Sequence, residues 1–163
     1  MLVSQLFHIA IKSPNVEATR RFYMDVLGMT LANRPQFDFP GYWLQAAVPG
    51  GQALFHIYGG YAALEPDGSI ISGTGVIDHV AITVHGFEDT RRRARKYGLA
   101  YRENKVPSVG LWQFFVYDPS AVLLELSYLA VSEDMGDFEI PAGLQYKPSE
   151  RFFDPGNYRQ FYG

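Results

Sequence analysis

Four side chains able to bind a metal, His8, His56, His79 and Glu125, fall on just two equivalent positions of an internal repeat. His8-Ile9-Ala10-Ile11, followed by Glu17-x-Thr19-Arg20-Arg21, recurs 71 positions on as His79-Val80-Ala81-Ile82, followed by Glu88-x-Thr90-Arg91-Arg92. Gly41-x-Trp43 answers Gly110-x-Trp112, and Leu54-Phe55-His56 answers Leu123-Leu124-Glu125, now 69 positions on. One histidine in an apolar strand is ordinarily a hydrogen-bonded core or edge residue. Four donors at repeat-equivalent places instead predict a cation site built between the copies. The chain has no cysteine, so the donors are imidazole and carboxylate, a set that suits Zn, Ni, Co, Mn or ferrous iron without choosing among them.

The elements that must position these groups follow from periodicity. Gln5 to Lys12 alternates as a strand, Ser13-Pro14-Asn15 offers a cap, and Val16 to Leu27 is a helix stopped by Gly28. Short strands follow near Thr30 to Phe37, Gly41 to Val48 and Ala53 to Tyr58. Ile77 to Val84 restarts the order, Phe87 to Tyr97 is the second helix, and strands near Ala100 to Asn104, Gly110 to Tyr117 and Val122 to Tyr128 complete the copy. The expected architecture is α+β, with module one over 5–58, a Gly- and Pro-containing linker over 59–75, module two over 76–129, and an extension over 130–163 outside the repeat.

Successive strand side chains face opposite sides of a sheet, so His8 lies with Ala10 and Lys12, His79 with Ala81 and Thr83, and Glu125 with Leu123 and Ser127. The opposite faces are continuously apolar and want helices. An unpaired buried Glu125 would be costly, and ligation is one way to keep it charged.

Four segments carry a resemblance: Phe7-His8-Ile9-Ala10-Ile11, Arg21-Phe22-Tyr23-x-x-Val26-Leu27-Gly28-Met29, Asp78-His79-Val80-Ala81, and Phe115-Val116-Tyr117-Asp118-Pro119 closing in Leu124-Glu125-Leu126. Over about residues 5 to 129 the chain resembles the vicinal oxygen chelate superfamily, which includes glyoxalase I, methylmalonyl-coenzyme A epimerase, fosfomycin-resistance enzymes, bleomycin-binding proteins and extradiol dioxygenases. The resemblance implies tandem βαβββ modules whose mixed sheet forms a cup around one divalent ion, the glyoxalase-like fold. It puts His8, His56, His79 and Glu125 on ligand positions, and it makes a homodimer the expected assembly.

Two reactions fit such a site, and a binding role stands beside them. In the first, the ion stabilises an enediolate formed from a small molecule with two adjacent oxygens, with Glu125 and His56 as the proton-moving residues of a lyase or isomerase. His56 departs from the pattern, because glyoxalase-like relatives carry Glu there and epimerase-like ones Gln. In the second, His8, His79 and Glu125 form a facial triad for ferrous iron, a catechol and dioxygen. This chain has Phe115 where the extradiol signature carries Tyr, and Ala121 in place of the usual turn glycine. The third is sequestration of an aromatic drug, as similarity to the bleomycin-binding members implies.

Trp43, Trp112 and Phe114, with Phe37 and Phe39, are candidate walls for an apolar substrate, and Lys12, Arg34, Arg102 and Lys105 candidate contacts for an acidic group. His85, without a repeat counterpart, reads as exposed. Fourteen basic and seventeen acidic side chains, a formal charge of −3, provide no electrostatic footprint for nucleic acid or an anionic membrane. No signal-peptide pattern or membrane-length apolar run is present, so a cytoplasmic location is expected. The 163 residues are 47% hydrophobic and 15% aromatic, enough to enclose a core. The extension is rich in Phe, Tyr and Pro, a composition that predicts packing rather than disorder.

Overall fold

A computed structural model describes residues 2–3, 5–148 and 150–162. The chain divides into two compact units, Met1–Ser72 with Phe161–Gly163, and Gly73–Gln160. Each holds one βαβββ module.

In the first unit, β1 (Ile9–Lys12), α1 (Val16–Asp25), β2 (Thr30–Ala32), β3 (Gly41–Gln45) and β4 (Ala53–Tyr58) form a mixed sheet in the order β1-β4-β3-β2, with β1 parallel to β4. Asn15 caps α1 by accepting from the Ala18 amide, so one donor of the first turn is satisfied locally. The helix buries Ala18, Thr19, Phe22 and Tyr23, and the Tyr23 ring meets Phe55 of β4 at 4.9 Å. The Tyr42 hydroxyl of β3 donates to Glu17 from the same side and holds that carboxyl below its ordinary value. The helix-facing side of this sheet therefore carries Tyr42, Leu44, Phe55 and Ile57. The strands predicted at Gln5 to Lys12 and Thr30 to Phe37 are shorter than alternation suggested.

In the second unit, β5 (Val80–Thr83), α2 (Phe87–Lys96), β6 (Tyr101–Val106), β7 (Leu111–Tyr117) and β8 (Leu123–Leu129) repeat the plan, in the order β5-β8-β7-β6 with β5 parallel to β8. Phe87 is fully buried against Tyr128, Trp112 and Phe114, and the Tyr128 hydroxyl donates to Thr90 at 2.6 Å. Glu103, 0% exposed, receives a bidentate Arg91, the geometry that makes a buried carboxylate tolerable.

The start of α2 differs from that of α1. Gly86 occupies the cap at φ 83 and has no side chain to offer, so Glu133 of the extension accepts from the Gly86 and Phe87 amides. The extension continues across this unit. Phe138 lies 5.0 Å from Trp112, Gln145 bridges to Glu103 of β6, and Tyr158 donates to the Tyr117 carbonyl at 2.7 Å. Among the described residues no helix is long and apolar enough to cross a membrane.

Two stability predictions follow. Ala121 closes the turn between β7 and β8 at φ 63, where a Cβ is strained, so Ala121→Gly should raise the unfolding free energy by up to about 1 kcal/mol in urea titrations. Burial, slightly offset by Thr90, raises the Tyr128 phenol well above its ordinary value of 10.0. Below pH 10 both states hold the proton and the contribution is complete; above it the unfolded chain ionises first, so stability falls. Tyr128→Phe should flatten that alkaline loss while lowering neutral-pH stability by about 1 kcal/mol.

Candidate functional site

On each sheet the predicted donors occupy the face turned away from the helix, in the same register. Ala10 pairs with His56 across β1 and β4, and Ala81 pairs with Glu125 across β5 and β8. A methyl beside each donor leaves space above the central strand. His8 and His79 precede β1 and β5 by one residue and lie over the same faces.

In the first unit the pair is aromatic. The His8 and His56 rings stack at 3.9 Å and 16°, and His56 stacks in turn on Trp43, its partner across β3, at 4.0 Å and 7°. His56 is 4% exposed, and burial, followed by the neighbouring His8, holds its imidazole below the ordinary value, with a smaller opposing contribution from the Ala53 backbone. The ring is therefore neutral at physiological pH and keeps a lone pair to give. His8 Nδ1 and Trp43 Nε1 are buried without a hydrogen-bond partner, an unmet demand a ligand would answer.

In the second unit the pair is an imidazole beside a carboxylate. His79 Nε2 lies 3.0 Å from Glu125 Oε2, and Ser127 donates to Glu125 Oε1 at 2.6 Å. His79 Nδ1 meets Asp78 Oδ1 at 2.7 Å, and the Tyr146 hydroxyl donates to the same carboxylate at 3.2 Å. Tyr146 stacks on Phe115 at 3.6 Å and 7°, while Phe115 meets His79 edge-on at 5.8 Å. Burial, then the charge and hydrogen bond of Asp78, push the Tyr146 phenol up to about 12, so it remains a donor at neutral pH.

The donor types suit a divalent ion, and they are presented as two pairs, one in each unit. Among the described residues no group of three or more His, Asp or Glu is placed to hold a metal ion.

Two of the three predicted substrate residues are relocated. Trp112 pairs with Tyr128 and Phe114 with Leu126, on the helix side of their sheet, 7% and 1% exposed. Trp112 is not the counterpart of Trp43, because Gly41 lies inside β3, where a Cβ would sit 2.1 Å from the Ile57 carbonyl oxygen, whereas Gly110 precedes β7 at φ 61. The register makes Phe115, opposite Glu125, the equivalent of Trp43, opposite His56. Phe37 and Phe39 extend the Trp43 side, with Phe37 at 6.3 Å from the indole and Arg34 over both phenyl rings. Lys12, Arg102 and Lys105 are paired with Glu65, Glu150 and Asp137, whereas Arg34 donates to the Phe39 carbonyl and leaves its Nε without a partner. His85 is exposed as expected.

Residues beyond the sequence-level set are Asp78, Ser127, Phe115 and Tyr146. Asp78 and Ser127 were readable as neighbours of His79 and Glu125, but nothing in local pattern connects Tyr146 with His79. The two tryptophans should separate by function: Trp112→Ala should cost about 3–5 kcal/mol in stability, and Trp43→Ala should spare the fold more and change ligand affinity instead, as read by urea unfolding and calorimetric titration.

Comparison with known proteins supports this architecture. The model of the Glyoxalase/Bleomycin resistance protein/Dioxygenase superfamily matches residues 5–126. Comparison with curated protein sequences returns no match. Among solved structures, a genomically encoded fosfomycin resistance protein from Listeria monocytogenes is 16% identical with a TM-score of 0.57, covering 78% of this chain and 94% of its own. A lactoylglutathione lyase from Agrobacterium tumefaciens is 14% identical with a TM-score of 0.57, covering 79% and 96%. An antibiotic binding protein from Streptomyces sp. CB03234 is 18% identical with a TM-score of 0.55, covering 79% and 98%. At such identities these likenesses speak for the fold, and the matched family model, which spans most of the repeat, places the chain in the glyoxalase/bleomycin resistance protein/dioxygenase superfamily.

Proposed function

We propose that the chain is a divalent-metal-dependent, glyoxalase-like enzyme of the lyase or isomerase type, acting as a homodimer on a small molecule with two adjacent oxygens. His8, His56, His79 and Glu125 would hold one cation, which would supply Lewis acidity toward charge developing on those oxygens. The observation that carries the reading is the shared register: each sheet sets its donor beside an alanine, on the face its helix leaves free.

This chain's own groups would handle the proton. Glu125 is 6% exposed, and Ser127, with His79 beside it, keeps the carboxylate oriented. His56, neutral through burial, is the complementary base in the first unit. Trp43 would flank the substrate, and Arg34 would meet an acidic group on it.

One observation favours a second reading. His56 is sandwiched between His8 and Trp43, as suits an acid or base held by packing, which leaves His8, His79 and Glu125 as a ferrous-iron triad for catechol dioxygenation. Sequestration of an antibiotic, the role named for the Streptomyces neighbour, is the alternative without chemistry.

Protein purified without added ions should carry about one equivalent of divalent metal per chain, and His79→Ala should lose it. Glu125→Gln should retain the fold and slow hydrogen–deuterium exchange beside a substrate carbonyl at least about a hundredfold. Oxygen uptake with catechols that depends on ferrous iron would transfer the assignment to the dioxygenase, and absence of metal from both proteins would leave sequestration.

A further inference from the structure

We infer that Tyr146, contributed by the extension outside the duplicated repeat, is a positioning residue of the site: through Asp78 it sets the orientation and tautomer of His79. The hydroxyl reaches Asp78 Oδ1 at 3.2 Å, and that same oxygen faces His79 Nδ1 at 2.7 Å. A neutral imidazole that donates from Nδ1 keeps its Nε2 lone pair for a cation, and Nε2 lies 3.0 Å from Glu125 Oε2, beside the oxygen that would be its fellow ligand. Asp78 is exposed and lies before β5, so without a second partner its carboxylate would be free to turn into water and release the ring.

The tyrosine is placed by more than its hydroxyl. Its amide donates to the Glu103 carbonyl at 2.8 Å, Gln145 forms a parallel bridge with Glu103, and the Gln145 amide donates to Asn104, which donates to Gln113 of β7. The ring then lies flat on Phe115 at 3.6 Å, on the face that carries Glu125. Backbone pairing sets the height of Tyr146 above the sheet, stacking sets its tilt, and the hydroxyl is left one direction in which to donate. Among the described residues of the first unit, by contrast, His8 Nδ1 has no hydrogen-bond partner.

This inference rests on the reading of His79 as a metal donor, and its test separates the two. Tyr146→Phe keeps the stacked ring and removes the hydroxyl alone. In nitrogen-15 spectra of the metal-free full chain, His79, assigned by its loss in His79→Ala, should show a protonated Nδ1 in the parent protein and a mixture of tautomers in Tyr146→Phe, with the other three histidines unchanged. Asp78→Asn should reproduce the change, and the double variant should add nothing to it. Cobalt(II) titration followed by its visible absorption should show about tenfold weaker binding in Tyr146→Phe. A His79 signal identical in the parent and Tyr146→Phe overturns the positioning role, whatever cobalt does. A changed tautomer in a protein that takes up no cobalt overturns the metal reading and leaves the positioning role standing.

Discussion

A carboxylate removed from water must be answered by its neighbours, and much of the second unit answers Glu125. At 6% exposure on the central strand of its sheet, its charge would be prohibitive alone. Ser127 supplies a proton from the same strand face, two residues on, and His79, one residue before the neighbouring parallel strand, places its Nε2 3.0 Å from the other oxygen. The helix then lies on the other face, where Leu124, Leu126 and Tyr128 alternate with Glu125 and Phe87 of α2 packs on Tyr128. One polar residue thus orders the faces of the sheet as effectively as the apolar residues around it.

The two units solve the same positional problem with different chemistry. In the first, His56 is held by flat rings on both sides, and its burial, followed by the nearby His8, favours the neutral imidazole. In the second, Glu125 accepts a hydrogen bond from Ser127 and lies beside His79. At the same register position the chain therefore presents a stacked imidazole in one unit and a hydrogen-bonded carboxylate in the other.

Much of this was legible in the residues. The repeat, the alternation of strands and the glycines after each helix locate both modules, and Ala53 to Tyr58 is a strand with the ends that alternation predicts. The faces of His56 and Glu125 follow from period two. What failed was transfer of side-chain roles across the repeat by similarity of short words: Gly-x-Trp occurs twice, but one glycine is inside a strand and the other is in the turn before one, so the tryptophans take opposite faces. Tyr146 was illegible for a different reason. Its place depends on a bridge to β6 and a stack on β7, contacts about forty and thirty residues away that leave no periodic trace.

The unequal capping of the two helices carries a kinetic consequence. The cap of α1 lies three residues from the amide it serves, whereas the carboxylate that serves α2 lies 46 and 47 residues beyond its amides. Loop closure over that span is slow compared with a local turn. On a ribosome the first helix can finish while the second still waits for Glu133 to emerge, so the duplicated halves, alike in plan, are built to mature one after the other.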